Sequence, residues 1–228
     1  MLRGIIFDLD GTLISLHVDG AAFRREIAKE LTQGGFKLDF TDASIKGLYV
    51  QEMLDLAKSQ IDQGLVKGEY AHVRKRTFRA LDALEVEWIR HSQLLPGAEA
   101  ILSRLSGEGK APITLALLTN SGRAATTYAM EALGFKKYFQ TTFTRDDVPA
   151  MKPRPDGIAT ALTTLGLGKG EVLYVGDSPI DIIAARGAGI PIASVASVRY
   201  GAEALRKLGA DYALGSISEL EDLLPRLG

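Results

Sequence analysis

Short apolar runs bounded by Gly, Pro, Asn and Asp alternate with longer helical patterns over the second half of the chain. "ITLALLT" (113–119) reads as a buried strand and "GRAATTYAMEALG" (122–134) as a helix closed by Gly134. "FQTTFT" (139–144) reads as a weaker strand, "DGIATALTTLG" (156–166) as a helix, "EVLYVGD" (171–177) as a strand and "PIDIIAARGAG" (179–189) as a helix. "IPIASVA" (190–196), "GAEALRKLG" (201–209), "DYAL" (211–214) and "SELEDLLPRL" (218–227) continue the alternation. Apolar strands alternating with helices predict a parallel sheet covered by helices. The opening run, 3–9, carries the same signature and is assigned to that sheet.

Between about 16 and 94 the texture changes. No strand pattern is found, and helical patterns cover 20–33, roughly 41–62 and roughly 66–91. In the last, Val73, Thr77, Ala80, Leu81, Leu84 and Trp88 fall on one stripe at helical spacing. Pro96-Gly97 in "LLPGAEAIL" (94–102) marks a break followed by a helix start. The expected architecture is α/β: a parallel-sheet core formed by 1–15 and 96–228, with an α-helical domain, 16–95, inserted after the first strand.

Composition narrows the task of such a chain. Hydrophobic residues make up 46% and charged residues 24%, ordinary for a soluble globular protein. The 27 Lys plus Arg against 28 Asp plus Glu argue against nucleic acid or an anionic membrane as the main partner. The absence of cysteine excludes disulfides, thiolate metal sites and a cysteine nucleophile. No apolar run is long enough to span a bilayer. The first strand starts too early to leave room for a signal peptide, so a cytoplasmic location is expected.

Open parallel sheets bind ligands beyond the carboxyl ends of their strands, and four polar clusters fall at such ends. The first is Asp8 and Asp10 in "GIIFDLDGTL", followed by Gly11 and Thr12. A turn accounts for Asp10-Gly11 but needs only one carboxylate. Two close carboxylates repel unless a cation or proton intervenes, and a hard divalent cation such as Mg²⁺ would resolve the conflict. The second is "LLTNSG" (117–122), where Asn120 or Ser121 caps the next helix, or the Thr119 hydroxyl and backbone N–H groups at that helix start face an anion. The third is "MKPRPDG" (151–157), in which Lys152 and Arg154 are either solvated or held rigid by two prolines.

The fourth is "VGDSPIDI" (175–182). Ser178, Pro179 and Asp181 make a good helix start, which leaves Asp177 as an additional anion and Gly176 as a point of tight turning. Together the clusters supply several carboxylates, a hydroxyl and a Lys, a set that fits Mg²⁺ and a transferring phosphoryl group. "GLGKGE" (166–171) is a loose glycine-rich match and reads better as a helix end. "GEGKAP" (107–112) is a poor phosphate-loop match.

These motifs resemble those of the haloacid dehalogenase superfamily. "DLDGT" is similar to its first motif, Thr119-Asn120 to its second, Lys152 to its third and "GDSPID" to its fourth, in order and spacing from residue 3 to about 196. The resemblance implies a Rossmann-like three-layer core, a helical cap of the first type, and Mg²⁺ as cofactor. It implies that Asp8 is the nucleophile and Asp10 the general acid and base. It further implies that Thr119, Asn120 and Lys152 bind phosphate. The metal would be held by Asp8, Asp10 through its carbonyl, and Asp177, with Asp181 assisting. The implied activity is hydrolysis of a small phosphate ester by a monomer or homodimer, with phosphoglycolate leading.

A phosphomutase would use the same residues. Dehalogenation is disfavoured by Asp10 and Asp177, and a non-catalytic phosphate-binding module by the intact motifs. The chain departs from its relatives after DGTL, where Ser15, Leu16 and His17 stand in place of the usual acidic residue and Ser. His17 is either a substrate contact or a solvated linker residue. The inserted domain is as basic as it is acidic. Its run "RKR" (74–76) with Arg79 reads as a solvated face, unless Arg74 or Arg76 faces the cleft.

Overall fold

The computed structural model describes residues 1–15, 19–37, 47–107 and 113–227. His17, the start of the 41–62 pattern and most of "GEGKAP" lie outside them. The chain divides into two compact units, Met1–Leu16 with Ser92–Gly228, and His17–His91. Residues 92–95 thus fall with the sheet rather than with the insert. The Ser15 N–H donates to Gln93 O and the Leu95 N–H to Leu13 O, each at 2.8–2.9 Å.

The first unit is built on a six-stranded parallel sheet of order β3-β2-β1-β4-β5-β6. Its strands are β1 (Gly4–Phe7), β2 (Thr114–Leu118), β3 (Thr141–Phe143), β4 (Val172–Gly176), β5 (Ile192–Val195) and β6 (Tyr212–Leu214). A strand buried on both faces has no polar side to alternate with, which is why these segments read as unbroken apolar runs. Ile6, Ala116 and Tyr174 face one layer of helices and join Ile158, Ala161, Ile182 and Ala185 in one core cluster. Phe7 points to the other face, edge-on to Phe139 with ring centroids 6.3 Å apart.

The helices of this unit are α4 (Ala98–Gly107), α5 (Arg123–Ala132), α6 (Asp156–Leu165), α7 (Pro179–Ala188), α8 (Ala202–Leu208) and the short α9 (Leu220–Leu223). The segment 218–227 is not the single helix its apolar spacing suggests. It breaks into 3₁₀ turns around α9, because Pro225 has no N–H to continue the ladder. β1 also ends earlier than its apolar run, at Phe7. Beyond it the Leu9 carbonyl accepts from the N–H groups of Thr12, Leu13 and Ile14, turning the chain. "GLGKGE" forms the end of α6 and a 3₁₀ turn before β4, at the amino end of that strand and so opposite the strand ends discussed below.

The second unit contains α1 (Gly20–Gln33), α2 (Val50–Asp62) and α3 (Tyr70–Ile89). They pack around Ile27, Leu31, Phe36, Met53, Ala57 and Leu81. The buried line of α3 runs through Thr77, Phe78, Leu81, Glu85 and Ile89, rotated from the expected stripe. Trp88 is only half-buried and lies 4.9 Å from the ring of Phe23. Lys75 and Arg79 are exposed, Arg74 lies over the Phe78 ring at 4.7 Å, and Arg76 pairs with Glu30 at 2.9 Å. Among the described residues no helix is long and apolar enough to cross a membrane.

Candidate active site

The register of the sheet brings three strand ends level. Phe7 lies opposite Leu117 on one side and Val175 on the other. Asp8 follows immediately, its N–H donating to Val175 O at 2.8 Å. Thr119 is the first residue after β2, and Asp177 the first after β4. The sheet order reverses direction beside β1, and a crevice opens at such a switch point.

Lys152 is the hub of the site. Its Nζ donates to Asp8 Oδ1 at 2.6 Å, to Asp181 Oδ1 at 2.7 Å and to Tyr174 OH at 3.0 Å. All four side chains are buried. An ammonium has three protons to give, and all three are placed. Burial works against the Lys152 charge, but Asp181 and Asp8 outweigh it and hold the amine well above its usual range. Burial also pushes the Asp8 carboxyl well up, opposed by Lys152. The solvated reading of Lys152 is therefore overturned, while Arg154 beside it is exposed.

Asp10 has different partners. Its Oδ2 accepts from Ser121 Oγ at 2.6 Å and from Thr119 Oγ1 at 3.4 Å, and Thr119 Oγ1 in turn accepts the Ser121 N–H at 3.0 Å. Burial raises its carboxyl, opposed chiefly by the Ser121 hydrogen bond. Neither Asn120 nor Ser121 caps the helix that follows. α5 begins after Gly122, and its Arg123 N–H is taken by Asp146 Oδ2 at 2.9 Å. The Asn120 side chain instead clamps Lys152 by its backbone: Nδ2 donates to Lys152 O at 2.9 Å, and Oδ1 accepts Lys152 N–H at 3.0 Å. Arg145, also buried, donates to Asn120 O at 3.4 Å.

Asp181 does two jobs. Oδ2 accepts Ser178 N–H at 3.1 Å and Ser178 Oγ at 2.6 Å, the helix start read from the sequence. Oδ1 accepts from Lys152 and from Tyr174 OH, the latter at 3.1 Å. Gly176 makes this approach possible, since a Cβ there would lie 2.5 Å from Asp181 Cγ. Its role is close packing, not the tight turn expected. Gly11 serves Asp177 in the same way: its φ is +86°, and a Cβ would lie 2.4 Å from Asp177 Oδ2.

Carboxylate oxygens of Asp8, Asp177 and Asp181 lie within 4.8 Å of one another, and all three residues are buried. The Asp10 carboxylate is not in this group, which leaves its backbone carbonyl as the contribution expected of it. Burial and the neighbouring Asp181 push the Asp177 carboxyl to about 7, against a hydrogen bond from Ser197. Three buried, oxygen-only donors with excess negative charge suit a hard divalent cation of the Mg²⁺ kind.

Tyr174, Ser121 and Ser197 join the site without having been assigned a role from the sequence. Tyr174 sits inside the apolar run "VLYVG", where an aromatic reads as core, and only its polar tip reaches Lys152. Ser121 reads from the sequence only as a cap. Nothing in the local pattern marks Ser197.

Residues 5–195 match the family model described as haloacid dehalogenase-like hydrolase. A phosphoglycolate phosphatase of Yersinia pestis is 30% identical over all of this chain and 94% of its own length. Pyrophosphatase PpaX of Bacillus velezensis is 27% identical over 96% of this chain and 94% of its own. A hydrolase from Pseudomonas syringae has the same fold, with a TM-score of 0.63 at 23% identity and 98% of each chain covered. With a family model spanning β1 to the end of β5, the chain belongs to the haloacid dehalogenase-like hydrolases.

Proposed function

We propose that the chain is a Mg²⁺-dependent phosphatase that hydrolyses a small phosphorylated metabolite through a phosphoryl group carried on Asp8. The observation that carries this reading is the division of labour between two carboxylates two residues apart. Asp8 is paired with a buried ammonium at 2.6 Å, whereas Asp10 is held by hydroxyls. The ammonium opposes the burial that pushes the Asp8 carboxyl up, which suits a group that must react as an anion; the hydroxyls suit a group that must gain and lose a proton.

Asp8, Asp177 and Asp181 would hold Mg²⁺, with the Asp10 carbonyl. Bound there, it supplies the positive charge that lets an anionic carboxylate meet an anionic phosphate. Lys152 holds Asp8 Oδ1; among the described residues Oδ2 accepts no hydrogen bond and is the atom that forms the bond to phosphorus. As the bond from phosphorus to the ester oxygen breaks, protonated Asp10 passes its proton to that oxygen, which leaves as an alcohol. Asp10, now a carboxylate, takes a proton from the water that attacks phosphorus. That second step breaks the bond to Asp8 and releases inorganic phosphate. Thr119 Oγ1, beside Asp10, and the Asn120 N–H that follows it in the chain would steady the phosphoryl oxygens.

Phosphoglycolate is the first substrate to test, because the relative at 30% identity carries that activity in its name. Pyrophosphate is the second. A panel of phosphate esters with Mg²⁺ is expected to rank phosphoglycolate highest by kcat/KM, with release of inorganic phosphate. Asp8→Asn is expected to lose at least about 10³-fold of this activity. Equal turnover by Asp8→Asn, or an isomeric sugar phosphate in place of inorganic phosphate, would overturn the reading.

A further inference from the structure

Asp10 must present one oxygen to the leaving group with the proton on that oxygen, and a carboxylate free to rotate would do so only part of the time. We propose that Ser121 is a positioning residue for Asp10, fixing which of its oxygens carries the proton. The inference rests on Asp10 being the general acid.

The Ser121 hydroxyl donates to Asp10 Oδ2 at 2.6 Å, a length typical of a strong bond from hydroxyl to carboxyl oxygen. Thr119 Oγ1 approaches the same oxygen at 3.4 Å, and among the described residues no donor reaches Oδ1. An oxygen that accepts a hydroxyl proton is not the one that bears the carboxylic proton. With the Ser121 hydroxyl as donor to Oδ2, the acid form of Asp10 carries its proton on Oδ1, which among the described residues has no protein partner. Ser121 is itself held: its N–H bonds Thr119 Oγ1 at 3.0 Å, its carbonyl accepts the Arg145 N–H at 3.3 Å, and the residue is 8% exposed. When Asp10 gives up its proton, the same hydrogen bond acquires a charged acceptor and strengthens, which favours the transferred state.

A lost positioning group and a general disturbance of the site differ in one measurable respect. A leaving group that departs as a stable anion needs no general acid, whereas an alkoxide does. The test compares kcat/KM on phosphoglycolate and on p-nitrophenyl phosphate, with Mg²⁺, for the wild type, Ser121→Ala, Ser121→Thr and Asp10→Asn. The ratio of the two values within one variant does not depend on how much of the protein is folded. Ser121→Ala is expected to lose about 10- to 100-fold on phosphoglycolate and less than about threefold on p-nitrophenyl phosphate. Ser121→Thr, which keeps the hydroxyl, is expected to restore most of the loss. Equal losses on both esters, or no loss on phosphoglycolate, would overturn the role of Ser121 while Asp10→Asn still distinguishes the esters. A wild type inactive on both would overturn the proposed function and this role with it.

Discussion

Lys152 carries the only ammonium among three buried acidic neighbours that the described residues place around it: Asp8 and Asp181 in direct contact, and Asp177 by its field. Replacing it leaves two buried carboxylates with nothing between them. Lys152→Met is expected to abolish turnover and to destabilise the cation-free protein by about 3–5 kcal/mol, read from urea melts. An unchanged melting midpoint would mean that the pair is not buried as described. At this scale the sequence was legible where chemistry repeats a motif. Asp8, Asp10, Thr119 and Asp177 could be picked from their strand ends, and Lys152 from the proline-flanked loop after β3. It was not legible where one side chain has two partners. Asp181 reads fully as a helix start, and nothing local says that its second oxygen meets Lys152, 29 residues away. The same holds for Asn120, whose capping chemistry is spent on the backbone of Lys152.

Elements matter here through how closely they let side chains pass. β4 ends in Gly176 so that α7 can swing Asp181 back over the strand end, with no room for even a methyl group. Gly176→Ala is expected to destabilise the fold by about 1–3 kcal/mol and to cost more activity than stability, because Asp181 and Lys152 must shift together. Thermal melts beside kcat/KM check this; full activity in the variant would contradict it. Strands and long helices of the first unit were readable because burial on both faces erases polar positions, and α5, α6 and α7 lie within a residue or two of their expected ranges. The elements that departed did so for reasons outside simple periodicity. β1 stops when Leu9 becomes the acceptor of three N–H groups, and the last helix breaks at Pro225. The buried line of α3 includes Glu85, at 4% exposure, a charged residue that apolar spacing does not pick out.

Across the whole molecule the cluster of acids is a cost that folding bears and a cation would relieve. Asp177 titrates near 7 in the folded, cation-free protein against 3.8 for the ordinary carboxyl, and Asp8 and Asp10 are shifted in the same direction. Between those values the folded state holds more protons than the unfolded state. Asp177 therefore lowers stability as pH rises through that window, and its effect levels off above about 7. In a chelator, the stability of Asp177→Asn relative to the wild type is expected to rise between about pH 4 and pH 7, the window spanned by the shift. Mg²⁺ binds the ionised form, so the rise in Tm that it brings to the wild type should be larger at the upper end of that range. A Mg²⁺ effect independent of pH would contradict the assignment of these carboxylates to a cation.

The central claim is that phosphorus is bonded to Asp8 during turnover, and trapping that bond tests it most directly. The protein is mixed with phosphoglycolate and Mg²⁺, quenched in acid within one turnover and measured by intact mass and peptide mapping. A mass increase of one phosphoryl group is expected, located on the peptide containing Asp8, removed by hydroxylamine and absent in Asp8→Asn. Mg²⁺-dependent release of phosphate that persists in Asp8→Asn, with no labelled protein at any time, would contradict it.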